Sequence, residues 1–153
     1  TNVMLPASFI VLEGDLVSGI SQDLFYSDNS YVIARVSPNS GLFEPIQVQV
    51  KSISPTVTPS ELRFKLEAST DHPGALQRIE FWNYQTSRWE EIDSRIGTNF
   101  DSVVEIVISI TPERFVNPAT KEMTAKVSYR ELSAEIANLW QTRIDQSIWN
   151  VEP

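Results

Sequence analysis

Four stretches of this chain alternate apolar and polar side chains with a period of two, and that pattern leaves few architectures open. Ile46, Val48 and Val50 alternate with Gln47, Gln49 and Lys51. Leu62, Phe64 and Leu66 alternate with Arg63, Lys65 and Glu67. Val104, Ile106, Ile108 and Ile110 oppose Val103, Glu105, Val107 and Ser109. Met123, Ala125, Val127 and Tyr129 oppose Thr124, Lys126, Ser128 and Arg130. Successive strand side chains point to opposite faces, so each run offers one face to a core and one to water. Further strands are expected at residues 9–13, 30–36, 77–84, 88–93 and 142–151, about nine in all. Pro38, Pro45, Pro55, Pro59, Pro73, Pro112 and Pro118 fall between the runs, where the missing ladder N–H costs nothing. Many short strands with regular turns point to a sandwich or a barrel. The expectation is an all-β, antiparallel two-layer β-sandwich forming one domain over residues 1–153, with little helix. The expected core comprises Ile46, Val48, Val50, Leu62, Phe64, Leu66, Ile106, Ile108, Val127 and Tyr129.

Helix signals are few. Residues 21–27 suit a single turn capped by Ser21 or Asp23. Leu132, Ile136 and Trp140 have helical spacing in a segment read as a loop with helical turns. Residues 3–12 are apolar but have no basic start and contain Pro6, so they read as a first strand and not as a signal peptide.

Charge and composition narrow the function. The net charge is −8, shared equally between residues 1–75 and 76–153. An acidic surface repels phosphate backbones and anionic headgroups, which disfavours nucleic acid and membrane surfaces as partners. No apolar run approaches the ~18 residues of a membrane span, so membrane insertion is not expected. There is no cysteine, which removes disulfides, thiolate nucleophiles and zinc–thiolate sites. The one histidine, His72, stands beside Asp71, but Asp71-His-Pro-Gly74 is turn chemistry, and no nucleophile is marked for it. Glu90 and Glu91 are adjacent on a strand and point to opposite faces. No catalytic residues are therefore assigned, and the chain is read as a non-enzyme. Asp28-Asn29 and Asp145 suggest an oxygen-only calcium site. For Asp28-Asn29 a turn whose side chains bond their own backbone is the preferred reading, so structural calcium is not favoured: no cofactor and no metal ligand is assigned.

The aromatic residues are the most informative. In Phe81-Trp-Asn-Tyr-Gln-Thr-Ser-Arg-Trp89 a hairpin is expected with its tip at 85–87. Ile79 and Phe81 share one face; Glu80, Trp82 and Tyr84 share the other. If the first pair is core, Trp82 and Tyr84 form an outward platform suited to sugar rings, with Glu80 and Arg88 as hydrogen-bonding neighbours. The competing reading places Trp82 or Trp89 over the sandwich edge or under a loop.

Several motifs carry a resemblance. Gly14-Asp-Leu-Val-Ser-Gly19, Asp23-Leu24, Ser27-Asp-Asn-Ser-Tyr31, Arg78-Ile-Glu-Phe-Trp-Asn-Tyr84, Trp89, Lys126-Val-Ser-Tyr-Arg130 and Trp140 with Ile144-Asp-Gln-Ser-Ile-Trp149 occur in this order. Together they resemble an uncharacterised C-terminal module of large secreted or surface proteins of planctomycete-type bacteria, similar to carbohydrate-binding modules. The resemblance implies a jelly-roll-like sandwich, an extracellular or cell-surface setting and no catalytic residues. The ending at Ile144-Asp145 also looks like that of several calcium-stabilised jelly rolls, without matching the remaining ligands. The expected function is non-catalytic extracellular recognition, with polysaccharide as the leading partner and another extracellular protein chain as a second. The alternative is a structural subunit of a bacterial surface layer, filament or adhesin that self-associates through sheet edges.

Overall fold

The alternating runs become strands of two antiparallel sheets. In the computed structural model, which describes residues 2–38, 43–72, 74–132 and 139–153, there are eleven strands. They are β1 (Asn2–Met4), β2 (Ser8–Glu13), β3 (Asp15–Ser18), β4 (Val32–Arg35), β5 (Ile46–Ile53), β6 (Glu61–Thr70), β7 (Leu76–Asn83), β8 (Arg88–Ile96), β9 (Ser102–Ile108), β10 (Glu122–Arg130) and β11 (Gln141–Glu152). One sheet has the order β3-β4-β11-β6-β9, with β1 also paired to β11; the other has the order β2-β5-β10-β7-β8. Single 3-10 turns at Ser21–Leu24 and Pro112–Phe115 are the helical elements among the described residues.

Two strands exceed the sequence expectation. The apolar run 3–12 is divided at Pro6, whose missing N–H ends one ladder before the next begins; β1 joins the first sheet and β2 the second. Strand β3 is only four residues long, with Leu16 and Val17 both exposed, so it carries no period-two signal. Gly14 joins β2 to β3 at φ +95°, where a Cβ would lie 2.7 Å from the Arg35 carbonyl oxygen. That combination of positive φ and close backbone contact admits glycine alone without strain. Strand β9 stops at Ile108, leaving Ile110 81% exposed. The helical spacing of Leu132, Ile136 and Trp140 falls partly on residues outside those described.

The strand phase matches the expected core, except that Ile106 and Ile108 are only partly buried, because β9 is an edge strand. Between the sheets lies an aromatic cluster. Phe81 of β7 meets Phe64 of β6 at 5.2 Å, Trp149 of β11 at 4.6 Å and Phe115 at 5.3 Å between ring centroids. These are edge and tilted arrangements that satisfy the ring quadrupoles. Tyr129, also in the core, donates its hydroxyl proton to Gln77 Oε1 at 2.7 Å, so neither polar group is stranded.

Phe64 is fully buried between Phe81 and Trp149. Phe64→Ala is expected to cost about 3–5 kcal/mol in chemical denaturation; a loss under ~1 kcal/mol would contradict this packing.

Candidate functional site

The site is built by strand phase. Because Ile79 and Phe81 are fully buried, Glu80 and Trp82 on the same strand face outward. Tyr84 continues the outward set just past the end of β7. The strand is turned back by Asn83, whose Oδ1 accepts the N–H groups of Gln85 at 2.9 Å and Thr86 at 3.1 Å. Such a side-chain turn is a common use of asparagine. Ser87 completes the loop at φ 55°, and β8 returns with Trp89 opposite Trp82.

Register places the other members. Thr124 follows in β10 as the neighbour of Ala125, the partner of Phe81, and pairs with Lys51 of β5. Lys126 pairs with Glu80 on one side and Gln49 on the other. Gln49 in turn pairs with the exposed Ile10 of β2. A groove of about 340 Å³ results, lined by Gln49, Lys51, Trp82, Tyr84, Trp89, Glu122 and Thr124. It crosses β5, β10, β7 and β8.

The two indoles meet edge to face, 5.2 Å apart at 76°, so they form a bent wall and not a flat platform. The Lys126 ammonium lies 4.4 Å above the Trp89 ring and 3.4 Å from Glu80 Oε1. It therefore fixes the ring while neutralising the buried carboxylate. The Tyr84 hydroxyl lies 3.0 Å from Thr124 Oγ1, and its burial raises the phenol's pKa. Glu90 Oε2 accepts from Arg114 Nη2 at 2.8 Å, and Tyr84 N–H donates to the Arg114 carbonyl at 2.8 Å. This ties the hairpin to the 3-10 turn beside it. Arg114 holds the Glu90 carboxyl below its ordinary pKa, with Asn83 acting in the same direction.

Charges on this face are paired among themselves. Lys51 meets Glu122 at 3.3 Å, and Arg78 contacts Glu80 at 3.4 Å and Glu91 at 3.9 Å. Arg78 also grips Glu44 in a bidentate ion pair. Of the residues expected from sequence, Trp82 and Tyr84 line the groove. Glu80 lies beneath it, buried and bound to Lys126 and Arg78. Arg88 pairs with Asn83 across the hairpin, is exposed, and is not brought to the groove. Trp89, Gln49, Lys51, Glu122, Thr124 and Lys126 were not expected. Trp89 was detectable by counting the register across the turn; the β5 and β10 residues were not, since nothing local links them to β7.

A second hollow, on the other sheet, is lined by Glu61, Arg63, Asn150 and Glu152 and has no aromatic wall.

No protein-family model matches this sequence, and no curated protein matches it at a significant level. Solved structures do. A family 61 carbohydrate-binding module in complex with β-1,4-galactotriose superposes with a TM-score of 0.56 at 14% identity, over 95% of this chain and 90% of that one. A family 4 carbohydrate-binding module gives 0.55 at 12%, covering 95% of each chain. A family 29 module from Piromyces equi gives 0.53 at 8%, over 97% of this chain and 89% of that one. At these identities the likeness is one of fold: the chain is a β-sandwich of the kind found in carbohydrate-binding modules. Among the described residues no helix is long and apolar enough to cross a membrane.

Lys126→Met, which leaves Glu80 buried with Arg78 alone, should destabilise the domain by about 1–3 kcal/mol in urea denaturation at neutral pH. Adding Glu80→Gln should recover part of that loss.

Proposed function

We propose that this domain is a non-catalytic module that binds a single polysaccharide chain in the groove across β5, β10, β7 and β8. The observation that carries this reading is the bent aromatic wall of Trp82 and Trp89, opening onto Tyr84, Thr124, Gln49 and Lys51. Pyranose rings present apolar C–H faces that stack on indoles, and hydroxyls that pair with such side chains. The bend matters for specificity. Two rings 76° apart cannot lie together on a flat crystalline surface, but they can hold successive residues of a twisted chain. The paired charges matter too: cations already bound to carboxylates favour a neutral glycan over a polyanion.

On this reading Glu80 is a positioning residue acting through Lys126, and Arg88 lies outside the contact surface. The setting that goes with polysaccharide binding is extracellular or at the cell surface. Placement at the C-terminal end of a large planctomycete-type protein rests on the sequence motifs alone and has no support from the structural neighbours.

The test is tryptophan fluorescence and calorimetric titration with soluble neutral glycans, among them galactan, mannan, xylan and β-glucan. At least one should bind, and Trp82→Ala should weaken it tenfold or more, about 1.4 kcal/mol, while remaining folded. Arg63→Ala on the opposite sheet should leave affinity unchanged. Absence of binding to every glycan, or unfolding of Trp82→Ala, would remove the reading.

A second reading, self-association through sheet edges, draws on the exposed Val103, Val107 and Ile110 in and after edge strand β9. It requires a specific interface of more than about 1,000 Å². A concentration-independent monomer in sedimentation experiments would dispose of it.

A further inference from the structure

The outer face of the groove sheet carries one cation that the fold has not paired. Of the basic residues in β5, β7 and β10, Lys51 meets Glu122, Lys126 meets Glu80 and Arg78 meets Glu44. Arg130, the last residue of β10, has no carboxylate within ion-pairing distance among the described residues, and its guanidinium donates no hydrogen bond to them. It lies instead over the Phe43 ring, 4.5 Å from the centroid. Phe43 is 73% exposed. The chain beside it is nevertheless fixed. Glu44 is buried, is gripped by Arg78, and its carbonyl accepts from Gln47 Nε2 at 3.1 Å. Pro45 follows and restricts the Glu44 backbone further. Leu76 pairs with Arg130 across the sheet, and the half-exposed Ile96 pairs with Leu76 beyond it.

Stacking uses a face of the guanidinium plane and leaves its rim of N–H donors open. Such a fork matches a carboxylate through two parallel N–H···O bonds. At Arg78 the protein supplies that carboxylate as Glu44; at Arg130 it supplies none. A carboxylate joined to a body with an apolar face would gain contact with the phenyl ring as well. A uronic acid has both parts. Acetate has only the first, and a neutral hexose only the second. Arg130 stands four positions from Lys126 on the same face, about 13–14 Å along β10, so this contact is separate from the groove. The net charge of −8 repels a polyuronate and restricts the ligand to isolated acid groups.

We propose that Arg130 and Phe43 bind a uronic acid residue of a glycan, the guanidinium taking the carboxylate and the phenyl ring the sugar face. The choice of a sugar over an acidic protein segment rests on the polysaccharide reading of the groove. A largely neutral glycan bearing isolated uronates would engage both contacts.

The test follows the Arg130 side-chain N–H resonance by NMR, assigned from its loss in Arg130→Gln. Sodium glucuronate should shift it saturably, and less so as salt is raised. Its methyl ester and acetate should each bind at least about fivefold more weakly, for want of the charge or of the ring. Arg130→Lys, which keeps the charge but not the fork, should weaken glucuronate binding about five- to tenfold, as measured by calorimetry. Arg63→Ala on the opposite sheet should leave it unchanged. No shift with glucuronate overturns the site, and so does full binding by Arg130→Lys. Acetate or a short acidic peptide binding as well as glucuronate overturns the assignment to a sugar. Glucuronoxylan and its carboxyl-reduced form separate this contact from the groove. Wild type should prefer the acidic form, and Arg130→Gln should lose the preference. If neither form binds while glucuronate still shifts Arg130, the groove reading fails and this site stands.

Discussion

Phe81 sits against Phe64, Trp149 and Phe115 in the middle of the sandwich, and much else follows from that contact. With Phe81 turned inward, the pleat leaves Trp82 no choice of side. A slip of one residue would exchange them, burying an indole where a phenyl ring fits and emptying the outer groove of its wall. The tight hairpin then carries the same phase to Trp89, and Asn83 sets its length by capping the turn. The core packing and the groove are thus two sides of one register.

The alternating runs made most strands and their facing legible. The period-two pattern is a direct image of one-sided burial, and it was clearest where strands are long and central, as in β5, β6 and β10. It was lost in β3, which exposes both Leu16 and Val17. It held in β9, but at an edge that strand buries Ile106 and Ile108 only in part, so alternation gave the facing and not the depth of burial. The candidate site divided in the same way. Trp82 and Tyr84 were legible because the phase of β7 runs one residue beyond its end. Thr124 and Gln49 reach the groove, and Lys126 the ring that walls it, through lateral pairing with partners some forty residues away or more, a relation that leaves no local trace in the chain. Arg88 illustrates the converse: nearness in sequence to Trp89 put it in the expected set, but alternation turns neighbouring residues to opposite sides.

The acidic character of the molecule is unevenly used. On the groove sheet, Glu44, Glu80, Glu91 and Glu122 are each matched by Arg78, Lys126 or Lys51, and the result is a nearly neutral surface with fixed side chains. On the other sheet, Glu67, Asp101 and Asp145 converge with no ion pair to a lysine or arginine among the described residues. Overall charge therefore says little about either face. Elsewhere on the sheet opposite the groove, Arg63 meets Glu61 and Glu105 and Arg35 meets Asp15, so the three converging acids are a local exception and not a property of the face.

The order of strands has a consequence for how this chain reaches its structure. Among the described residues only β3–β4 and β7–β8 pair strands adjacent in sequence, and only the second pair is joined by a tight turn; the other ladders link segments the chain visits at different times. Closing such long loops costs entropy before any packing compensates, so folding of this topology belongs to the slow, millisecond-to-second regime. The β7–β8 hairpin is the exception, able to form locally on the microsecond scale. The element that carries Trp82 and Trp89 is thus the one best placed to exist before its sandwich does.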